Sequence, residues 1–225
     1  MTDRIPSLAL ILLVAVAALS ACGGKPAATH TGAVPDSLQT IEAAAEDIID
    51  SAPTGHWDRI NADVTDIAKS WKAYQAQASK DGAPQATQDA LSTALVKLQT
   101  ASAAKDALAT MQSANELSAA VIELLAIYHP KVPADIGRLD VWERQVVLDV
   151  AAHNYDAAAA SLAKVKSVWD NVKASVLEHD GKDVAAQFEA SIAKQEQALL
   201  AKDGATLTSE AENGLELIDA LEGLY

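Results

Sequence analysis

The histidine best placed to do chemistry is His153, with Asp149 four residues before it and Asp156 three after. On one uninterrupted helix that spacing brings the three side chains to a common face. An imidazole between two carboxylates can hold a divalent metal ion. Asn154 follows directly, however, and asparagine is a strong helix-starting residue. A helix break there removes the shared face and leaves Asp156 as a first-turn acid facing the helix dipole. The expected metal site is therefore none, with His153, Asp149 and Asp156 kept as weak candidates. Trp57, at an expected helix start, could serve as a partly exposed anchor for a ligand or partner.

Other chemistries lack their residues. Cys22 is the sole cysteine, which excludes an intrachain disulfide and a thiolate zinc site. There is no Gly-x-Ser-x-Gly elbow and no glycine-rich phosphate loop. A di-iron bundle needs Glu-x-x-His, which does not occur. A haem needs His or Met ligands. Met111, the one methionine beyond the start, lies on an apolar stripe and reads as core. The chain is expected to be no enzyme and to carry no cofactor. Lys and Arg number 17 against 31 Asp and Glu, a net charge of −14. That excess argues against nucleic acid as a partner, since phosphate binding needs a basic face.

The elements that must position these residues are all helical. Half the residues are apolar but only 4% are aromatic, and 48 of the 225 are alanine, the best helix former. Apolar residues recur at steps of three and four. They predict helices over about 36–51, 57–80, 85–103, 105–128, 134–152, 154–178, 182–201 and 204–224. The sixth carries Tyr155, Ala158, Leu162, Val165, Trp169, Val172 and Val176, close to a heptad seam. The fifth carries Ile136, Leu139, Trp142, Val146 and Val150, and the eighth Leu215, Ile218, Leu221 and Leu224. Pro53-Thr54-Gly55, Asp81-Gly82, His129-Pro130 and Asp180-Gly181 supply turns, and Asp106, Asn154 and Asp203 supply caps.

A repeat is visible at an offset of 97 to 98. Trp71 matches Trp169, Ala104-Lys105-Asp106 matches Ala201-Lys202-Asp203, and Tyr128 matches Tyr225. The fold class expected is all-α: eight antiparallel helices as two tandem four-helix units, 36–128 and 134–225. A continuous stack of helix hairpins is the other arrangement the spacing allows.

The amino terminus reads as an address. Leu8 to Leu19 is an unbroken apolar run, too short to span a bilayer but suited to a signal-peptide core. It ends in Leu19-Ser20-Ala21-Cys22, which resembles the bacterial lipobox. The resemblance implies a diacylglyceryl group on Cys22, cleavage before it and acylation of the new amino group. With residues 1–21 removed, residues 22–35 form a lipidated cysteine and a Gly-, Pro- and Thr-rich tether. Two or three acyl chains give lasting attachment where one is marginal. Gly23, rather than Asp, follows the cysteine. In a Gram-negative cell this implies the outer membrane, facing the periplasm.

Duplicated four-helix units on an exported chain also resemble the imelysin-like proteins, whose motif includes His-x-x-Glu. The residues three after the five histidines are Ala33, Arg59, Val132, Asp156 and Lys182. The motif is absent, and neither residues nor activity carry over. The sequence thus predicts a non-catalytic, lipid-anchored binding or scaffold module whose partner is another envelope protein or a small ligand. The alternative is a periplasmic metal- or small-ligand-binding component of an uptake or resistance system.

Overall fold

The computed structural model describes residues 33–225; the expected signal peptide, Cys22 and the expected tether up to residue 32 lie outside them. Among the described residues there are eight α-helices and no strand. They are α1 (Asp36–Ser51), α2 (Trp57–Ala78), α3 (Gln85–Ala104), α4 (Ala107–Leu125), α5 (Ala134–Ala151), α6 (Tyr155–Glu178), α7 (Lys182–Ala201) and α8 (Gly204–Glu222). Short 3-10 turns follow α1 and α4, at Ala52–Thr54 and Ala126–Tyr128. The second shortens the helix expected over 105–128 at its far end. Asp106 shortens it at the near end by accepting a hydrogen bond from the Ala109 N–H at 3.0 Å. Asn154 and Asp203 cap α6 and α8 in the same way, at 3.1 and 3.2 Å.

Three turns recur with the same backbone chemistry. Gly55 and His153 are both left-handed, with φ of 70° and 58°. The N–H of the next residue reaches back to Ser51 in one case and Asp149 in the other. Gly82 and Asp180 are left-handed, and the residues after them, Ala83 and Gly181, donate to Ala78 and Val176. Lys105 and Lys202 are left-handed, and Asp106 and Asp203 donate to Ala101 and Ala198. Each turn thus satisfies a carbonyl that its helix would otherwise leave open.

Helix α1 packs on α2 and α4, and α3 on α2 and α4; α5 packs on α6 and α8, and α7 on α6 and α8. Buried apolar side chains fall into two clusters. One runs from Leu38 to Tyr128 and is centred on Ile41, Ile67, Leu91 and Leu117. The other runs from Ile136 to Leu221 and includes Val165, Trp169, Phe188 and Ile218. Trp71 and Trp169 are buried as their spacing predicts, and each indole N–H finds an acceptor, Ser92 Oγ at 3.1 Å and Glu189 Oε1 at 3.2 Å. Met111, Trp142, Leu215 and Leu224 are only half-buried.

The second cluster departs from the apolar pattern at one level. Glu143, not Trp142, points into the core from α5 and is fully buried. The fully buried Gln195 of α7 donates from Nε2 to Glu143 Oε1 at 3.0 Å. Gly214 of α8 makes the room, since a Cβ there would lie 2.8 Å from Glu143 Oε1. At offsets of 97 to 98 the first cluster has Ala45, Leu98 and Leu117.

The two clusters meet across α4 and α5, where Ile122, Val141 and Leu148 are buried. Gly137 lets the helices approach, for a Cβ there would stand 3.0 Å from Ile122 Cδ1. Asn115 Nδ2 donates to the Val141 carbonyl at 3.1 Å and to Gln145 Oε1 at 2.9 Å. Arg138 closes the rim, with a two-pronged contact to Glu123 at 2.6 and 2.8 Å and one to Asp135 at 2.7 Å.

Candidate functional site

The contact between α4 and α5 leaves a groove beside it, walled by α1, α5 and α8. Helix α1 turns Leu38, Ile41, Ala45 and Ile48 to its core. Its other side carries Glu42, Glu46 and Asp50, four residues apart and therefore in one row. Asp140 and Arg144 of α5 and Glu212, Asp219 and Glu222 of α8 complete the walls. The groove holds two hollows of about 340 and 590 Å³, and Glu46 lines both. Ile49, Met111, Val147, Leu148 and Leu215 form an apolar floor to the larger one.

Seven carboxylates therefore surround one cation, and Arg144 is already spoken for by Asp140 at 2.7 Å. Burial first, and neighbouring charge after it, raises the affinity of four of them for protons: Glu42, Glu46, Asp140 and Glu222. Glu42, half-buried, is pushed up to about 7, by burial first and then by Glu46, Glu222 and Asp140. Glu46 and Glu222 are raised by burial, with Asp140 the largest charge acting on each. Asp140 is itself raised by burial, against the pull of Arg144. Added positive charge would relieve all four. No Ser, Thr, Cys, His or Tyr lines either hollow, so the polar lining of the groove is its carboxylates with Gln39 and Arg144.

The residues singled out by sequence lie elsewhere. His153 is exposed in its left-handed turn, one residue before the α6 cap. Asp149 is buried instead, accepting from Gln145 Nε2 at 2.9 Å and from Ser161 Oγ at 2.7 Å. Asp156 is exposed in the first turn of α6. The broken helix thus leaves the three without a shared face. Among the described residues, no group of three or more His, Cys, Asp and Glu is arranged to hold a metal ion. Trp57 is half-buried against the first cluster, with its indole beside Gly55. It lines a shallow hollow of about 540 Å³ with His56, Asp58, Arg59 and Lys105.

Sequence reading missed the groove because its walls come from three helices that lie far apart in the chain, Asp36–Ser51, Ala134–Ala151 and Gly204–Glu222. The available signal was the row Glu42, Glu46 and Asp50 on the side of α1 away from its apolar stripe. Comparison with protein-family models, with curated proteins and with solved structures found no match.

Proposed function

We propose that the chain is a lipid-anchored envelope module that binds a positively charged partner and does no catalysis. The observation that carries the anchor is Leu19-Ser20-Ala21-Cys22, placed directly after the Leu8–Leu19 apolar run. Once residues 1–21 are removed, fat on Cys22 holds the chain to the membrane, facing the periplasm in a Gram-negative cell. No described helix is long and apolar enough to cross a membrane. The net charge of −14 repels anionic lipid, so attachment rests on the acyl groups.

The body consists of two copies of one four-helix unit, 36–128 and 134–225, joined through α4 and α5. The paired left-handed turns and the two separate apolar clusters support this arrangement over a continuous stack of hairpins. The groove alongside the junction is the binding place, and its partner is a basic segment of another envelope protein. Seven carboxylates against one arginine support that choice. Short helix connections support the non-catalytic part, since they leave little loop from which to build an active site. A small cation in the same groove is the second reading, favoured by the raised proton affinity of Glu42.

Calorimetric titration of the lipidated chain in detergent separates these readings. An oligolysine peptide should bind, and Glu42→Gln with Glu46→Gln should weaken it at least several-fold. Binding should also weaken as pH falls through about 7, where Glu42 takes up its proton and loses its charge. Uptake of a divalent ion or a polyamine in place of the peptide would favour the second reading. No heat with any of these probes would remove the groove from the proposal.

A further inference from the structure

We propose that Glu143 is held in the folded protein as a neutral carboxylic acid, paired reciprocally with the side-chain amide of Gln195, and that its deprotonation loosens the α5–α8 core. The geometry leaves two atoms over. Gln195 Nε2 donates to Glu143 Oε1 at 3.0 Å, while Glu143 Oε2 and Gln195 Oε1 are buried with no other partner. A carboxylate oxygen and an amide carbonyl both only accept, so as an ion Glu143 leaves both atoms unsatisfied. A proton on Oε2 turns it into a donor for Gln195 Oε1, and one added hydrogen completes both atoms at once.

The surroundings favour the neutral form. Both side chains are fully buried, and a buried carboxylate without a cation is costly. Helix α7 presents an uncharged amide and α8 presents Gly214. The buried residues of α6 are apolar apart from Ser161, which is bonded to Asp149. On α5, Asp140 is the charge that acts on Glu143, and being negative it also favours the proton. Its partner Arg144 lines the groove outside the core. Burial and Asp140 outweigh the Gln195 hydrogen bond and push the Glu143 carboxyl up to about 8, from an ordinary 4.5. The folded state then holds a proton that the unfolded chain has lost. Stability from this group is complete below about 4.5 and declines as pH rises, until Glu143 is ionised above about 8.

Difference infrared spectroscopy reads the proton directly. In the full chain carrying Glu42→Gln, which removes the groove acid that is pushed up to about 7, a carboxylic-acid carbonyl band should persist at neutral pH and vanish through about 8. Glu143→Gln should abolish the band and still fold, because its amide can donate to and accept from Gln195. Its denaturant midpoint should fall less in alkali than that of the parent, with the other carboxylates common to both. Gln195→Leu removes the acceptor of the Oε2 proton together with the Nε2 donor, so the acid carbonyl band should be displaced in frequency as the reciprocal pair is lost. Absence of the band in the parent at neutral pH would overturn the proposal. So would an alkaline loss of stability in Glu143→Gln equal to the parent's. Should Glu143→Gln fail to fold, the parent band and its displacement in Gln195→Leu decide.

Discussion

Glu143 and Gly214 work as one packing unit, since the carboxyl occupies the space that a side chain on α8 would fill. Gly214→Ala should therefore destabilise the protein by ~1–3 kcal/mol, the usual cost of overpacking a tight interior. Gly223→Ala is the control, as its Cβ would meet nothing closer than a carbonyl oxygen at 3.5 Å. Denaturant midpoints of the two variants test this, and equal, small effects would mean that Glu143 can swing aside. The apolar spacing made Trp71 and Trp169 legible as core residues. It could not reveal Glu143, because a charged residue at a core register reads as the edge of the polar face, and Trp142 next to it takes its place in the stripe. Only the absence of a side chain on Gly214, on the neighbouring helix α8, makes that register habitable.

At the scale of the elements, turn chemistry was the most legible feature. Proline, glycine and the capping residues Asp106, Asn154 and Asp203 set helix boundaries that the structure reproduces within about three residues. Left-handed residues other than glycine were not legible, since nothing in a lysine announces positive φ. Lys105, His153, Asp180 and Lys202 occupy that region. An L-residue there is strained by roughly 1–2 kcal/mol, and glycine recovers part of it after its greater freedom in the unfolded chain is counted. Lys202→Gly should accordingly raise stability by up to about 1 kcal/mol, measured by urea unfolding. A loss of that size would show that the turn does not need the left-handed conformation. The same break at His153 explains why Asp149, His153 and Asp156, three residues of metal-ligating type at helical spacing, do not converge: the spacing is right and the helix is not continuous.

At the scale of the whole molecule, the all-helical class follows from composition and periodicity, whereas the groove between α1, α5 and α8 does not. Its row of acids on α1 is visible in the sequence. That Asp140, Asp219 and Glu222 face the row is a property of how the eight helices meet. Removing charge from that wall should stabilise the protein as well as weaken cation binding. Glu42 is raised to about 7 by burial and by its acidic neighbours, so the strain grows as pH rises from 4.5 through that value.

The most direct measurement is mass spectrometry of the chain extracted from the membrane fraction of its own cells. The expected species begins at Cys22, lacks residues 1–21 and carries diacylglycerol with an acylated amino group. Cys22→Ser should leave the chain uncleaved at that point and without the lipid. An unmodified Cys22 on a freely soluble chain would contradict the anchor, and with it the placement of this helical body at the envelope.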